Sequence, residues 1–343
     1  MTARRVLAAT VPAFVGVVVA VALLLAVGAD PFAALGAMVS GSVGSGAKLA
    51  DTILAWSPLA IISAGLGVTF RAGLWNIGVE GQVTAGAIAA TAFARSMPGP
   101  GRLVMVVALA AGLVGGALWG LGAGVLRVKG NVNEIFGGLG LGFVAQSIVI
   151  YLVIGPWKRA GIASTSGTEP FREEVWLPVV GSTQLSLIAP LMAIAVIASV
   201  WWSLGHTRFG LHLKAVGSNL VSARLVGIRS EQVMLGGFAI GGGLAGMAGG
   251  LIALGIQHKL VPSIAGGRGF LAILVVLLAG QGIRWVAPVA LFFAAVSVGA
   301  SQLNLRLDLD SSLGGVLQGV IVLVAIVVGG VRARRAEDRQ VAG

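Results

Sequence analysis

The sequence contains no cysteine and only three histidines, and charged residues make up 10% of its 343 positions. The lack of cysteine excludes disulfides, thiol catalysis and cysteine metal sites, and three scattered histidines give no pattern of metal ligands. No Gly-x-x-x-x-Gly-Lys-Ser/Thr motif occurs, so the chain has no phosphate-binding loop of the P-loop type. We therefore predict no catalytic residues, no metal site and no cofactor in this chain.

In soluble domains about a quarter of the residues are charged. In this chain only 10% are charged and 57% are hydrophobic. Apolar runs of about 20 residues recur along its whole length, which is typical of membrane-spanning helices rather than of alternating barrel strands. We predict an all-α fold, a polytopic integral membrane helical bundle that forms a single domain over residues 1–343 with its core at 50–330. About ten transmembrane segments account for the runs.

The net charge is +11, but the basic residues lie in short loops beside apolar runs, as the positive-inside rule describes. This pattern indicates membrane lipid rather than nucleic acid as the surroundings. Arg4 and Arg5 precede a first run at 6–27, which we interpret as an uncleaved helix, and a basic tail follows at 331–343. Both termini are predicted to be cytoplasmic, which places the loop at 155–186 outside.

Three segments differ from a simple span. Residues 30–50 are rich in glycine and serine, and the apolar run at 270–280 has about half the length needed to cross a bilayer, so we expect a broken or re-entrant helix there. Gly242, Gly246 and Gly250 recur at every fourth position of another span. One face of that helix is therefore bare enough for another helix to approach closely.

Residues 205–231, which we call the cytoplasmic loop, are too short and too polar to cross the membrane. Ser218 or Asn219 can cap a short helix that Gly227 stops. A preceding short helix should end near Gly217. We expect both pieces to lie along the inner membrane face.

Residues 71–82, which we call the polar junction, gather an arginine, two amides and an acid around three glycines between two apolar runs. Polar side chains at membrane depth are costly, so they usually line a cavity or pair with each other. Asn76 and Glu80 would share a face if the segment were helical. Either these groups form a polar wall of a translocation pathway, or Glu80 pairs with Arg71 or caps a broken helix.

A second polar cluster, at 130–134, opens another span. Asn131 is a plausible N-cap, with Glu134 three residues later in a capping-box pattern. Asn133 and Glu134 fit helix-start groups better than ligands. Aromatic faces could stack on a ring-bearing solute, although in an apolar bundle they usually pack or face lipid. The candidate pathway residues are Trp75, Asn76, Glu80, Gln82, Asn133, Phe136 and Gln146.

The run at 70–82 reads FRAGLWNIGVEGQ. It resembles the signature of permease subunits of bacterial ABC importers in the branched-chain amino acid, ribose and simple-sugar superfamily. The resemblance is closest to the nucleoside or simple-sugar branch that works with basic-membrane-protein-type lipoproteins. Stretches at 129–134, 207–228 and 266–270 agree with that branch in order and spacing, whereas the run at 135–141 is richer in glycine.

The resemblance implies a subunit of the cytoplasmic membrane that carries nucleosides or, alternatively, simple sugars by alternating access. It implies a paralogous second permease, a cytoplasmic ABC ATPase dimer that binds ATP and Mg, and an external substrate-binding lipoprotein. By position, the residues matching the loop that docks on the ATPase are Gly217, Ser218, Asn219, Ala223 and Gly227. An ordinary amphipathic loop helix is the structural alternative.

Two other classes compete with this interpretation. An ion-coupled secondary transporter would also have broken helices and polar groups near the midplane, but it would work without an ATPase. A membrane enzyme would need a catalytic cluster. The paired acids Glu173 with Glu174 and Asp308 with Asp310 lie in predicted outer loops and fit solvated loop charges better than an acid/base pair.

Overall fold

The computed structural model describes residues 18–327 apart from 20, 23, 27, 162–165, 182, 184, 281, 308, 309, 311, 321, 325 and 326. The predictions for Arg4, Arg5 and the basic tail at 331–343 lie outside the described residues, as does most of the first run at 6–27. The all-α prediction is confirmed for the described part of the chain.

The helices are α1 (Pro31–Val43), α2 (Gly46–Arg71), α3 (Val79–Ser96), α4 (Gly101–Val128), α5 (Glu134–Ile154), α6 (Ile188–His206), α7 (Arg208–Ser218), α8 (Leu220–Leu225), α9 (Ser230–Ile252), α10 (Arg268–Ala279) and α11 (Val286–Leu307). A π-helical segment, Ala253–Gln257, extends α9, and a 3-10 turn, Ile283–Trp285, precedes α11. A further apolar helical stretch covers Leu313–Val324.

Within the described residues, six helical segments are long and apolar enough to cross a membrane: Gly46–Arg71, Gly101–Val128, Glu134–Ile154, Ile188–His206, Ser230–Gln257 and Ile283–Leu307. Shorter apolar helices include α10, whose 12 residues match the expectation of a segment too short for a simple span. The figure of about ten crossings stays a prediction.

Helix α1 lies in the stretch at 30–50, whose glycine and serine content does not suggest a helix. Its start carries ordinary signals, because the Asp30 side chain accepts a hydrogen bond from the Phe32 N–H at 2.9 Å and Pro31 occupies the first turn. Composition alone therefore hid a helix that its capping residues indicate.

The described residues of 1–52 and 291–343 form one compact unit, and residues 53–290 form the other. In the first unit, Leu24, Ala34, Met38 and Leu303 are among the residues of a buried apolar cluster. The Gln318 side chain donates to the Phe293 carbonyl at 2.9 Å.

The second unit is built on direct backbone packing of α9 against α3 and α4. A Cβ on Gly242 would lie 2.5 Å from the Gly116 carbonyl oxygen, and one on Gly246 would lie 2.3 Å from that of Gly112. Side chains at these positions would separate the helices. The predicted glycine face of α9 is confirmed, and it fixes α3, whose first turn carries part of the polar junction.

Candidate functional site

The polar junction begins with a Schellman turn that ends α2. The Leu74 N–H donates to the Thr69 carbonyl at 3.1 Å, and the Gly73 N–H donates to the Phe70 carbonyl at 3.0 Å. Gly73 has a φ of +73°, a conformation that glycine adopts without strain. The chain is not helical at Asn76, so the condition under which Asn76 and Glu80 would share a helix face is not met.

Asn76 and Gln82 form a closed amide pair. The Asn76 Nδ2 donates to Gln82 Oε1 and the Gln82 Nε2 donates to Asn76 Oδ1, both at 2.9 Å. Both residues are buried, with 1% and 0% of their surface exposed. Each amide supplies the partner that the other would lack in an apolar interior. The pair ties the loop to the first turn of α3.

Glu80 connects the junction to the start of α10. Its carboxylate accepts hydrogen bonds from the Gly267 N–H and the Gly269 N–H, each at 2.7 Å. These are N–H groups that a helix start leaves without an intrahelical partner, and the positive end of the helix dipole favours an acid there. Glu80 caps a short helix, as one of its two sequence interpretations proposed.

Gly269 is required by this contact. A Cβ at that position would lie 2.5 Å from Glu80 Oε2 and 2.8 Å from the Glu80 backbone nitrogen. The motif at 266–270 and the polar junction are therefore two halves of one structure. The alternative ion pair of Glu80 with Arg71 is not present among the described residues, whose ion pairs are Lys48–Asp51, Arg127–Glu134 and Lys129–Glu231.

The start of α5 corrects one capping prediction. Asn133, rather than Asn131, is the N-cap, because its side chain accepts a hydrogen bond from the Ile135 N–H at 2.9 Å. Asn131 instead has a φ of +51° in the turn before the helix. The Glu134 carboxylate contacts Arg127 Nε at 3.0 Å. Both Asn133 and Glu134 thus act as helix-start groups here.

Two glycines of α5, Gly138 and Gly142, face the polar junction. A Cβ on Gly78 would lie 2.7 Å from the Gly138 Cα, and a Cβ on Gly81 would lie 2.7 Å from the Gly142 Cα. Gly138, in the glycine-rich run at 135–141, and Gly142 just after it therefore allow α5 to touch the junction backbone. The spacing of Gly138 and Gly142, one helical turn apart, was the signal for this contact.

The remaining pathway candidates lie in different surroundings. Trp75 is 46% exposed and, with Phe70, lines a cavity of about 230 Å³; the two rings are 5.2 Å apart. Phe136 is 73% exposed. The Gln146 side chain donates to the Pro262 carbonyl. Their contact with a solute stays a prediction.

The cytoplasmic loop folds as two short helices, as expected. Thr207 caps α7 and Asn219 caps α8 through a 2.9 Å hydrogen bond from the Ser222 N–H. Gly227, with a φ of +82°, follows the end of α8. Ala223 is buried, with 3% of its surface exposed, so it holds the loop together from within.

Gly217 brings the cytoplasmic loop onto the polar junction. A Cβ at Gly217 would lie 2.4 Å from the Arg71 carbonyl oxygen and 3.0 Å from the Gly73 nitrogen. Only glycine permits this approach. A displacement of α7 would therefore press directly on the backbone that leads to Asn76 and Glu80.

Residues 48–326 match the family described as branched-chain amino acid transport system / permease component. The chain belongs to this permease family. It is 31% identical to the glucose ABC transporter permease protein TsgB13 of Haloferax volcanii, over 88% of this chain and 82% of that protein. Identity is 26% to the guanosine ABC transporter permease protein NupP of Bacillus subtilis, over 84% and 83%. It is 25% to the nucleoside ABC transporter permease protein NupB of Lactococcus lactis, over 87% and 84%.

Membership confirms the resemblance stated from the motifs. The permease is a multi-pass membrane component of an ABC importer, a transport subunit and not an enzyme. Among the residues that the structure describes, no three His, Cys, Asp or Glu side chains are grouped to hold a metal ion.

The permease also exposes apolar side chains on the cytoplasmic loop. The exposed fractions are 64% for Leu211, 68% for Val221, 82% for Leu225 and 75% for Val226. Several large apolar side chains exposed on a loop that is otherwise polar are typical of a contact site for a protein or a membrane. We call these four residues the apolar patch.

The loop at 155–186 packs on the segment that follows α9. The Phe171 N–H donates to the His258 carbonyl at 2.8 Å, and the Trp176 ring stacks on the His258 ring with centroids 3.9 Å apart. Burial lowers the pKa of His258, which favours the neutral form of its imidazole. This surface is ordered by contacts within the permease.

Proposed function

We propose that this permease moves nucleosides across the cytoplasmic membrane by alternating access, driven by a separate ATPase dimer that binds ATP and Mg. The observation that carries the proposal is the contact of Gly217 with Arg71 and Gly73. It joins the segment matched to ATPase docking to the segment that holds the start of α10. A movement of the loop can thus be transmitted to the start of α10 through direct backbone contact.

ATPase docking is assigned to Gly217, Ser218, Asn219, Ala223 and Gly227, with the apolar patch as the contacting surface. The two glycines and the Asn219 cap shape the loop, and Ala223 packs inside it. Leu225 ends α8 and Val226 follows it, and these two side chains are the most exposed members of the patch. Burial of these side chains in a partner would stabilise the complex by the hydrophobic effect.

A second, paralogous permease and an external substrate-binding lipoprotein complete the proposed importer. Both termini of this chain are placed in the cytoplasm, which puts the cytoplasmic loop beside the ATPase and the loop at 155–186 towards the lipoprotein. The ordered contact of Trp176 with His258 supports an outer surface of fixed shape.

The solute is proposed to be a nucleoside, with a simple sugar as the second candidate. The nucleoside assignment is supported by two relatives, a guanosine permease and a nucleoside permease. The sugar alternative is supported by a glucose permease that is 31% identical to this chain. Phe136, whose side chain is 73% exposed, could stack on the ring of either kind of solute.

The test is uptake into proteoliposomes that contain the complete importer, with labelled guanosine and labelled glucose supplied in parallel. The nucleoside proposal expects ATP-dependent accumulation of guanosine that excess unlabelled glucose does not reduce. Accumulation of glucose alone would assign the sugar instead. Uptake that persists without ATP and collapses with a proton or sodium ionophore would contradict the ATPase-driven mechanism.

A further inference from the structure

Two arginines from distant parts of the sequence meet at one cavity. We call this cavity, of about 250 Å³, the arginine pocket; it is lined in part by Arg71, Trp201, Leu204, Gly205, Ile283 and Arg284. Arg71 ends α2, and Arg284 belongs to the 3-10 turn Ile283–Trp285. The 3-10 turn can approach α2 closely because Gly67 leaves room for the Ile283 side chain. A Cβ at Gly67 would lie 2.2 Å from Ile283 Cδ1.

The positive charge of the arginine pocket is not neutralised within the described chain. No acidic residue is among the described residues that line it. The Arg71 Nε is buried and has no hydrogen-bond partner among the described residues. Arg284 is exposed and takes part in none of their ion pairs. A buried donor without a partner is costly, and paired guanidinium groups favour a phosphate or carboxylate.

The arginine pocket opens beside an apolar one. A second cavity, of about 230 Å³, shares Arg71, Leu204 and Ile283 with it. We call this second cavity the apolar groove; its other lining residues include Phe70, Trp75, Val276, Leu277 and Val286. The two cavities together present a cationic end and an apolar end, which complement a molecule that has an anionic group and an apolar chain.

The pocket also lies where lipid headgroups are expected. Three candidate membrane spans have an end at its walls: Gly46–Arg71 and Ile188–His206 end there, and Ile283–Leu307 begins there. Trp75, Trp201 and Trp285 are each about half exposed near these ends. Arginine and tryptophan at the ends of spans are typical of the membrane–water interface.

We infer that the arginine pocket binds the phosphate of an anionic phospholipid whose acyl chain occupies the apolar groove. Basic pockets between membrane helices recognise anionic headgroups in this way. A free phosphate would use the arginines but leave the groove empty. The inference depends on the membrane location of the chain and not on the solute it carries.

The test is retention of lipid by the full-length chain in its importer complex, measured by native mass spectrometry. The complex is equilibrated in detergent with equal amounts of phosphatidylglycerol and phosphatidylcholine that have the same acyl chains. We expect preferential retention of phosphatidylglycerol, and Arg284→Gln should weaken that preference about fivefold, the effect of one interfacial arginine. Arg102→Gln, which removes an exposed arginine from a different cavity, should leave it unchanged.

Equal retention of both lipids would show that the complex has no preference for an anionic headgroup. Equal loss in Arg284→Gln and Arg102→Gln would show that the preference comes from general surface charge. Either result would overturn the inference. Leu277→Trp keeps both arginines and fills the apolar groove. It should lower retention of phosphatidylglycerol without changing protection of the complex by inorganic phosphate against thermal unfolding. If Leu277→Trp retains the lipid fully while inorganic phosphate displaces it, the pocket is a site for free phosphate and the lipid assignment is wrong.

Discussion

The polar junction and the cytoplasmic loop contact each other at Gly217, yet their side chains differ: the amides and the acid of the junction bond within the chain, and several apolar side chains of the loop are exposed. In the junction, Asn76, Gln82 and Glu80 are all hydrogen-bonded within the permease. In the loop, the apolar patch is left uncovered. Because these two amides and this acid are hydrogen-bonded within the permease, they position the fold, whereas the exposed apolar side chains of the loop are available to bind a partner. The comparison predicts that variants of the junction lower the stability of the permease and that variants of the apolar patch lose binding of the ATPase.

Removal of the Glu80 carboxylate should have the largest effect. Glu80→Ala leaves the Gly267 and Gly269 N–H groups without their acceptor, and hydrogen bonds to a charged group contribute about 1.5 to 3 kcal/mol each. We expect a loss of about 3 kcal/mol in the free energy of unfolding and a sharp fall in uptake. Thermal unfolding and uptake by the same preparation check both.

Glu231→Ala is the control, because Glu231 pairs with Lys129 at 2.8 Å on the surface, where such a pair contributes at most about 1 kcal/mol. If Glu80→Ala lowers uptake without lowering stability, Glu80 belongs to the solute pathway rather than to the cap. A normally expressed variant with undiminished uptake would remove it from both roles.

Gly138→Val tests the contact between α5 and the junction. The added side chain would meet the Gly78 backbone, whose nitrogen lies 2.6 Å from the position of a Cβ at Gly138, and overpacking of this kind costs about 1 to 3 kcal/mol. We expect a lower midpoint of thermal unfolding. Gly140→Val, in the same helix with nothing within 4 Å of its Cβ position, should change the midpoint little. Equal effects of the two substitutions would contradict the close packing.

The buried amide pair should show coupling. Gln82→Met leaves the Asn76 amide without a partner, which costs about 1 to 3 kcal/mol, and Asn76→Leu does the same to Gln82. The double variant removes both polar groups, so its loss of stability should be smaller than the sum of the single losses. Strictly additive losses in thermal unfolding would argue against a mutual pair.

The apolar patch should give the smallest change in stability. Leu225→Asp alters a side chain that is 82% exposed, so the free energy of unfolding should change by less than about 0.5 kcal/mol. Co-purification of the ATPase should nevertheless be lost. Val179→Asp, a change to a 51% exposed valine of the loop at 155–186, should keep the ATPase bound. Retention of the ATPase by Leu225→Asp would separate the apolar patch from docking.

Ala223 is a poorer position for that test. Because its surface is 3% exposed, a charged residue there would disrupt the loop from within. A loss of binding in Ala223→Asp would not distinguish a damaged loop from a lost contact.

Local patterns predicted much of the chain. The all-helical class, the short segment near 270–280, the glycine face of α9 and the Asn219 cap all follow from periodicity, composition and capping preference within a few turns. Errors arose where two local signals competed. Asn131 and Asn133 are both good capping residues, and only the turn conformation that places Asn131 at positive φ decides between them.

The polar junction illustrates the division between sequence and structure. The sequence by itself determined that this segment is exceptional, because polar groups between apolar runs must find partners, and its motifs determined the permease family. Only the tertiary structure decided what those partners are. Glu80 and Gly267 are 187 positions apart, and the glycines that admit α5 and the cytoplasmic loop to the junction lie on separate segments. No local propensity encodes such contacts, since they exist only once helices pack backbone against backbone and bring those segments within hydrogen-bonding distance.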